Sequence, residues 1–280
     1  MHTDAAPRRR IAARWWAMLA LAWLALPALA GPTVLRFVTK QFPPYAYHDA
    51  NGQAAGPMVE LLQAVCARAQ WQCQVDVLPW RRAYQRIEAG DADGIFPFVN
   101  TADRQGRYAM SPGVVHGRYV LMARGCPTGC NERQHIHAGT IAAFGPSEAS
   151  RTLMRVIAQH PGSQAQIEAD PGAVLRKLLA GRYGTDGLGL VNEAVARWQL
   201  SGMPPGTVQT VAVVREFNYG FALLRRPGHE ALSRQMAEAI DALCRSGDMA
   251  RQLQRHDLQA APCRPMASPA QLPARSAAPP

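Results

Sequence analysis

The fold is decided by residues 34–98, which read VLRFVTKQFPPYAYHDANGQAAGPMVELLQAVCARAQWQCQVDVLPWRRAYQRIEAGDADGIFPF. Three short apolar runs alternate there with two segments whose apolar positions recur at helical spacing. The predicted elements are strand, helix, strand, helix and strand, over 34–39, 58–69, 74–78, 82–89 and 93–98. Pro43 and Pro44 end the first strand, and Gly90 ends the second helix. This order is the signature of an α/β fold, a mostly parallel sheet with helices on its faces.

The rest of the chain repeats the same theme. Further strands are predicted over 119–123, 140–144, 188–191, 208–214 and 219–224, and helices over 148–159, 173–180, 192–199, 230–245 and 249–256. Two α/β units joined by strands indicate a bilobed protein with a cleft between its lobes. Such folds bind ligands at the carboxyl ends of their strands, so the cleft is the expected binding site.

Both ends of the chain differ from the part between them. Arg8–Arg10 precede a short apolar run, Trp15–Leu26, and Ala28–Ala30 follow it. A basic segment, a short apolar segment and an Ala-x-Ala end predict a secretory signal peptide over residues 1–30, cleaved near Ala30, and hence a periplasmic protein. The alternative is a membrane anchor, which needs about 20 apolar residues. The Pro-, Ala- and Ser-rich residues 264–280 predict a disordered tail.

Composition and charge narrow the classes of protein. With 280 residues, 48% of them hydrophobic, the chain is neither a disordered nor a coiled-coil sequence, and it is long enough for two lobes. The formal net charge is +10. Its basic residues are spread along the chain and some leave with the signal peptide, so no nucleic-acid partner is expected. Nearly all the cations are arginines, because lysine occurs only at Lys40 and Lys177.

The six cysteines follow the signal peptide and fall in three sequence-local pairs, Cys66/Cys73, Cys126/Cys130 and Cys244/Cys263. An even number in an exported protein predicts disulfides, and short loops close at little entropic cost, so we expect the local pairing. Alternatively, Cys126 and Cys130 could bind a metal together with His135 and His137. That spacing is not a common zinc motif, and the Gly and Pro residues around the loop favour a disulfide turn, so no metal is expected.

Five stretches together resemble one protein family. They are FPPYAYHDANGQAAGPMVELLQAVCARAQ from Phe42, PWRRAYQRIEAGDADGIFPF from Pro79, TADRQGRYAMSP from Thr101, YGFALLRR from Tyr219 and MAEAIDALCRSGDMARQL from Met236. In their order and spacing they are similar to the type 3 periplasmic solute-binding proteins of amino-acid ABC transporters, over about residues 33–258. Cys66 and Cys73 match a disulfide of the basic-amino-acid binders in that family.

The resemblance implies the type II periplasmic-binding-protein fold. In that fold each lobe is a mostly parallel sheet flanked by helices, two crossing segments form a hinge, and the cleft closes over one small ligand. Lobe 1 would comprise residues 31–116 and 220–263, and lobe 2 residues 117–219.

Arg104 is the residue to which the resemblance gives the clearest role. The family motif has Thr, then Arg three residues later, then Ser seven further on, here Thr101, Arg104 and Ser111. In the family this arginine holds the carboxylate of the ligand. A guanidinium group pairs with both oxygens of a carboxylate and keeps its charge at any relevant pH. The alternative is an ordinary surface arginine.

The resemblance places six further residues at or near the ligand: Tyr45, Trp80, Phe98, Asn100, Thr101 and Ser147. Tyr45 would be an aromatic wall and Trp80 part of the pocket lining, although both rings could equally belong to the core. Ser147 would contact the ligand from the start of a helix, and it could also be a plain N-cap followed by Glu148.

The position that binds the α-ammonium of an amino acid departs from the family pattern. The family often has Asp there, whereas this chain has Asn192 with Glu193 next to it. A neutral amide loses the charge pairing, so an amino-acid ligand remains expected only if Glu193 takes the role.

These features predict a binding protein rather than an enzyme. It would bind a small carboxylate-bearing solute, an amino acid or a derivative, and deliver it as a monomer to an ABC permease in the inner membrane. No catalytic residue, cofactor or metal is expected.

Two alternatives stay open. An enzyme resembling periplasmic cyclohexadienyl dehydratase would need a carboxyl acid or base in the cleft, for which Glu60, Glu148 and Glu193 are the candidates. A ligand-sensing partner of a receptor would have the same cleft and differ only in what it contacts.

Overall fold

The computed structural model describes residues 33–125 and 139–264. The described residues from Val34 onward belong to one compact unit. The predicted signal peptide, the Cys126/Cys130 pair with His135 and His137, and all but the first residue of the predicted tail lie outside the described residues.

The strands and helices follow one another in α/β order. The strands are β1 (Thr33–Thr39), β2 (Tyr47–His48), β3 (Ala54–Ala55), β4 (Trp71–Val77), β5 (Gly94–Val99), β6 (Tyr108–Met110), β7 (Val115–Arg124), β8 (Thr140–Phe144), β9 (Gln164–Glu168), β10 (Leu188–Asn192) and β11 (Val208–Leu224). The helices are α1 (Pro57–Arg68), α2 (Trp80–Ala89), α3 (Ala102–Gln105), α4 (Glu148–Gln159), α5 (Pro171–Leu179), α6 (Glu193–Leu200), α7 (His229–Arg245) and α8 (Asp248–Gln254).

Nine of these strands form one mixed sheet in the order β4-β1-β5-β11-β7-β10-β8-β9, with β6 also paired to β11. β1 and β5 are parallel, as are β8, β9 and β10, so each half of the sheet keeps the predicted parallel arrangement. β7 and β11 run antiparallel between the halves and join them into a single sheet. We call the part around β1 and β5 the first half and the part around β8 and β10 the second half.

The central pair of strands differs from the sequence prediction. The strands expected over 208–214 and 219–224 are one strand, β11, and β7 begins four residues earlier than expected. The polar residues Arg215, Glu216 and Asn218 suggest a connection, but their backbone pairs with β7 over Asn218↔His116 to Arg215↔Tyr119. The register of β11 shifts between Thr210 and Ala212, between Val213 and Arg215 and between Gly220 and Ala222. Such irregularities bend a strand and increase its twist.

Local sequence explains several boundaries. Ser147 caps α4, because its hydroxyl accepts hydrogen bonds from the backbone N–H groups of Ala149 and Ser150, and the Ser150 hydroxyl accepts one from the Ser147 backbone. Gly90 ends α2 in the left-handed conformation that glycine adopts without strain. These two boundaries agree with the sequence prediction.

The described residues form three buried apolar clusters. The largest reaches from Leu35 in β1 to Leu190 in β10 and so continues through both halves. A second cluster lies in the second half and a third in the first half. Gly94 is closely packed, because an added Cβ atom would come within 2.5 Å of two ring carbons of Phe37.

Two disulfides tie chain segments to this core. Cys66 in α1 bonds to Cys73 in β4, and Cys244 near the end of α7 bonds to Cys263. Both match the predicted local pairing. Within the described residues, no helix is long and apolar enough to cross a lipid bilayer.

Candidate functional site

Small cavities lie between the two halves of the sheet. One, of about 30 Å³, is lined by Lys40, Phe42, Trp80, Pro97, Val99, Arg104, Tyr119, Ser147, Glu148 and Tyr219. A second, of about 50 Å³, shares Lys40, Phe42, Tyr119, Ser147 and Tyr219 with it and adds Asn192 and residues around it. We call these two together the inner cavity. A larger outer pocket of about 550 Å³ shares Lys40 and Trp80 with the inner cavity and includes His48, Arg81 and Asp170.

The carboxyl ends of four strands supply the polar residues of the inner cavity. Lys40 directly follows β1, Arg104 follows β5, Ser147 follows β8, and Asn192 is the last residue of β10. β1 and β5 are parallel to each other, and so are β8 and β10. The site therefore lies where open α/β sheets bind their ligands.

Arg104 lies in α3 with 7% of its surface exposed. Its Nη1 donates a hydrogen bond to the carbonyl oxygen of Val99 (2.9 Å), and its Nη2 donates to the hydroxyl of Tyr84 (3.2 Å). The guanidinium carbon lies 4.0 Å from the centre of the Phe98 ring. Among the described residues no carboxylate forms an ion pair with it. These contacts fix the plane of the guanidinium and leave some of its five N–H donors for a ligand.

The neighbours of Arg104 in the sequence divide into two groups. Thr101 is the N-cap residue of α3, and Phe98 lies under the guanidinium. Asn100 is exposed, lines neither the inner cavity nor the outer pocket, and accepts a hydrogen bond from Nε2 of Gln105 at 2.9 Å. The structure therefore brings Phe98 to the site through its contact with Arg104. Neither Thr101 nor Asn100 lines the inner cavity or the outer pocket.

Lys40 is a second cation of the inner cavity and is absent from the sequence prediction. Its Nζ lies 3.9 Å from the ring centre of Phe42, 4.6 Å from that of Phe144 and 5.2 Å from that of Trp80. The residue is 9% exposed, and burial lowers the pKa of its amine to about 7. Within the described part of the chain, no hydrogen bond or ion pair to Lys40 is formed. The scarcity of lysine is the one sequence signal that could have drawn attention to it.

Ser147 and Glu148 form the wall from the second half. The Ser147 hydroxyl donates to the carbonyl oxygen of Phe144 at 2.6 Å and caps α4, so its hydrogen-bonding capacity is used inside the protein. Glu148 forms ion pairs with Arg151, Arg155 and Arg215. Burial opposes the ionisation of Glu148, but hydrogen bonds from Arg151 and Arg215 outweigh it, and the pKa of the carboxyl is lowered.

Asn192 and Glu193 point in different directions. Asn192 is 5% exposed, and its Oδ1 accepts hydrogen bonds from the Tyr45 hydroxyl (3.0 Å) and the backbone N–H of Val195 (3.1 Å). Its Nδ2 is buried without an acceptor in hydrogen-bonding geometry among the described residues. The carboxylate of Glu193 accepts hydrogen bonds from Nε and Nη2 of Arg118 at 2.8–2.9 Å. Glu193 lines a separate pocket. Asn192, not Glu193, therefore faces the inner cavity.

Aromatic rings enclose the site. Tyr45 is fully buried, stacks on Phe42 with 5.2 Å between ring centres and contacts Tyr219 edge-on at the same distance. Burial raises the pKa of Tyr119 to about 12 and raises that of Tyr219 well above its usual value, so both hydroxyls stay protonated at neutral pH. Tyr84, Tyr119 and Tyr219 are further residues at the site that the sequence did not reveal.

Of the two predicted aromatic residues, Trp80 lines the site and Tyr45 does not. Trp80 is half-buried, contacts Tyr84 edge-on and lines both the inner cavity and the outer pocket. Tyr45 joins the halves through Asn192 rather than lining the inner cavity itself.

The three carboxylates considered as an acid or base, Glu60, Glu148 and Glu193, all form ion pairs with basic side chains. Glu60 is exposed and lies near Arg255 and His256 on the surface. Glu148 and Glu193 are held by arginines, as described above. No group of three or more His, Cys, Asp or Glu side chains among the described residues could hold a metal ion.

Comparisons with known proteins match this chain to one protein family. The family model of the bacterial extracellular solute-binding proteins, family 3, matches residues 35–258. A comparison with curated proteins gave no match.

Solved structures share the fold at low sequence identity. A histidine kinase sensor domain with similarity to periplasmic binding proteins has a TM-score of 0.69 at 18% identity, covering 82% of this chain and 98% of its own. An arginine-, lysine- and histidine-binding protein from Geobacillus stearothermophilus has a TM-score of 0.66 at 17% identity, and the match covers 80% of this chain and 94% of that protein. The ancestral amino acid-binding protein AncCDT-1, a precursor of cyclohexadienyl dehydratase, has a TM-score of 0.66 at 14% identity, and the match covers 79% of this chain and 94% of that protein.

Proposed function

Because the chain belongs to family 3 of the bacterial extracellular solute-binding proteins, we propose that it binds a small carboxylate-bearing solute between the two halves of its sheet. The solute is an amino acid or a related carboxylate. The protein is exported as a monomer, matures near Gly31 and delivers the solute to an ABC permease.

The observation that carries this proposal is the placement of Arg104. A cation with 7% exposure and no carboxylate partner among the described residues is costly unless something compensates its charge. The Val99 carbonyl and the Phe98 ring compensate part of it. A ligand carboxylate would complete the compensation through two parallel hydrogen bonds.

Binding is favoured over catalysis because Glu148 and Glu193 are both neutralised by arginines. A general acid needs a carboxyl group with a raised pKa, whereas the pKa of Glu148 is lowered. We further propose that residues 31–116 with 220–263 and residues 117–219 move as two lobes, with β7 and β11 as the hinge.

A ligand screen by thermal shift tests the proposal first. Amino acids, polyamines and small carboxylates are offered in turn, and a solute that binds only the folded protein raises Tm. Small carboxylates or amino acids are expected to raise Tm, and polyamines are not.

Arg104→Ala then tests the residue that carries the proposal. We expect it to weaken binding of the solute found in the screen by about 30-fold to several-thousand-fold, because a desolvated anion loses its charged partner. Arg104→Lys recovers only part, since an ammonium group lacks the planar fork. Isothermal titration calorimetry measures both variants.

Arg107→Ala is the matched control. Arg107 lies three residues away, is exposed and pairs with Glu88 on the surface. The substitution Arg107→Ala should leave the affinity for the solute unchanged. Unchanged affinity in Arg104→Ala, with the fold intact, would contradict the proposal.

A further inference from the structure

We propose that the solute carries a second anionic group, which Lys40 receives while Arg104 holds the first. The ligand class is therefore small dianionic carboxylates, either dicarboxylates or amino acids with an acidic side chain. This inference rests on the proposed function of the cleft and specifies its substrate class.

The first reason is that Lys40 is buried without an anionic partner. Buried lysines are rare unless they are paired, because the charged form loses its hydration. The rings of Phe42, Phe144 and Trp80 surround Nζ at 3.9–5.2 Å and stabilise a cation only partly. Two of these rings come from the first half and Phe144 from the second, so the amine lies between the halves.

The second reason is the position of Lys40 relative to Arg104. Both residues line the same cavity of about 30 Å³, and Lys40 also lines the outer pocket. A ligand with one carboxylate at Arg104 could thus present a second one to Lys40 toward the outer pocket. Lys40 follows β1, and Arg104 lies in α3, which follows β5. Because β1 and β5 are parallel neighbours, both cations lie beyond the same edge of the sheet.

The third reason is that nearby carboxylates are already neutralised. Glu148 pairs with three arginines, and Asp170, at the edge of the outer pocket, pairs with Arg176. Neither forms an ion pair with Lys40 or Arg104 among the described residues. The amine of Lys40 is therefore left for a group that comes from outside the protein, and an anion bound there would favour its protonated form.

The donors of the inner cavity agree with an acceptor-rich ligand. The Nδ2 of Asn192 is buried and makes no hydrogen bond of good geometry among the described residues, although the Tyr219 hydroxyl, whose pKa burial raises, lies close enough for Asn192 to offset part of that rise. With Lys40 and Arg104 this amide makes three donor groups around one site. Glu193, which could have received an ammonium group, is bound to Arg118 instead.

Matched pairs of ligands test the inference directly. Calorimetry at pH 7 and constant ionic strength compares succinate with butyrate, glutarate with valerate, and glutamate with glutamine. In at least one pair, we expect the native protein to bind the member with the additional carboxylate more tightly, by about 10-fold or more.

Lys40→Met then removes the charge while keeping an unbranched apolar side chain. We expect the preference within that pair to shrink to about three-fold or less, whereas Arg104→Ala weakens both members. Arg234→Met removes one charge from an exposed position on α7 that lines neither the inner cavity nor the outer pocket, and it should keep the native preference. If Lys40→Met does not fold, Lys40→Gln replaces it, and Lys40→Arg should retain the preference.

The outcomes separate this inference from the proposed function. Equal binding within every pair, or a preference that survives the loss of Lys40, overturns the inference. If binding nevertheless depends on Arg104, the proposed function stands without the second anionic group. Binding of no member of any pair also overturns the inference, and the wider screen then decides on the proposed function by itself.

Discussion

At the scale of single residues, Lys40 couples stability to pH. Its pKa falls from 10.5 to about 7 on burial, so between these values the unfolded chain binds more protons than the folded one. The contribution of Lys40 to the free energy of unfolding is therefore most favourable above pH 10.5. It becomes less favourable as the pH is lowered and reaches its minimum below pH 7. The titratable and charged groups that share its cavities are His48, Arg81, Arg104, Tyr119, Glu148, Asp170 and Tyr219.

Lys40→Met should remove this dependence. At pH 6 we expect the variant to unfold at higher urea concentration than the native protein, with a gain of up to about 4 kcal/mol that shrinks steadily toward pH 10. Urea unfolding of both proteins at pH 6, 8 and 10 measures the difference, and the other groups largely cancel. A difference that stays constant with pH would show that the amine has the same pKa in the folded and unfolded protein, which would contradict the lowered pKa.

The sequence revealed part of the site and missed the rest for physical reasons. Arg104 stood out because its motif has a recognisable spacing. Lys40 did not, since burial by Phe42, Phe144 and Trp80 arises from distant parts of the chain. The direction of Glu193 depends on the N-cap: once Asn192 caps α6, the next residue is rotated by about 100° around the helix axis and leaves the cavity.

At the scale of elements, local signals predicted the boundaries where caps are strong. The predicted helix 148–159 matches α4, which starts at the capping box of Ser147 and Ser150. β6 and β9 were missed because β6 has three residues and β9 is largely exposed, so neither shows an apolar run. The fused strand β11 was missed because its polar middle is paired with β7, and that pairing is a long-range contact.

Ser147→Ala tests the role of that cap. The change removes an acceptor for two backbone N–H groups and should lower the free energy of unfolding by about 1 kcal/mol. Ser147→Asn, which can also cap a helix, should recover most of this loss. Urea midpoints of the three proteins decide, and no recovery in Ser147→Asn would mean that donation to Phe144 matters more than capping.

At the scale of the whole molecule, the inner cavity is too small for its proposed ligand. Volumes of about 30 and 50 Å³ accommodate only a few water molecules. The proposed function therefore requires the halves to separate before a solute enters. Contacts that join them include the hydrogen bond from Tyr45 to Asn192 and the contact of Lys40 with Phe144.

Tyr45→Phe removes the hydrogen bond to Asn192 and should weaken the closed form. The aromatic ring at position 45 and the Asn192 cap of α6 stay in place. We expect a larger radius of gyration in solution without ligand, and solute affinity lower by about five-fold, which corresponds to one hydrogen bond. Small-angle X-ray scattering and calorimetry measure the two effects.

Tyr108→Phe is the control for that experiment. It removes a hydrogen bond to Glu88, which lies within the first half. It should lower Tm without changing the radius of gyration or the affinity. If both variants behave alike, the Tyr45 bond contributes to stability and not to closure.

The lowered pKa of Lys40 also makes its amine a selective nucleophile. At neutral pH a large fraction is uncharged, whereas Lys177, the other lysine, is bound to Glu168 at 2.6 Å. Acylating reagents attack the uncharged amine, but they reach Lys40 only when the halves are apart, since 9% of it is exposed. The rate of acetylation at Lys40, followed by peptide mass spectrometry, should thus report how often the cleft opens, and a bound solute should slow it.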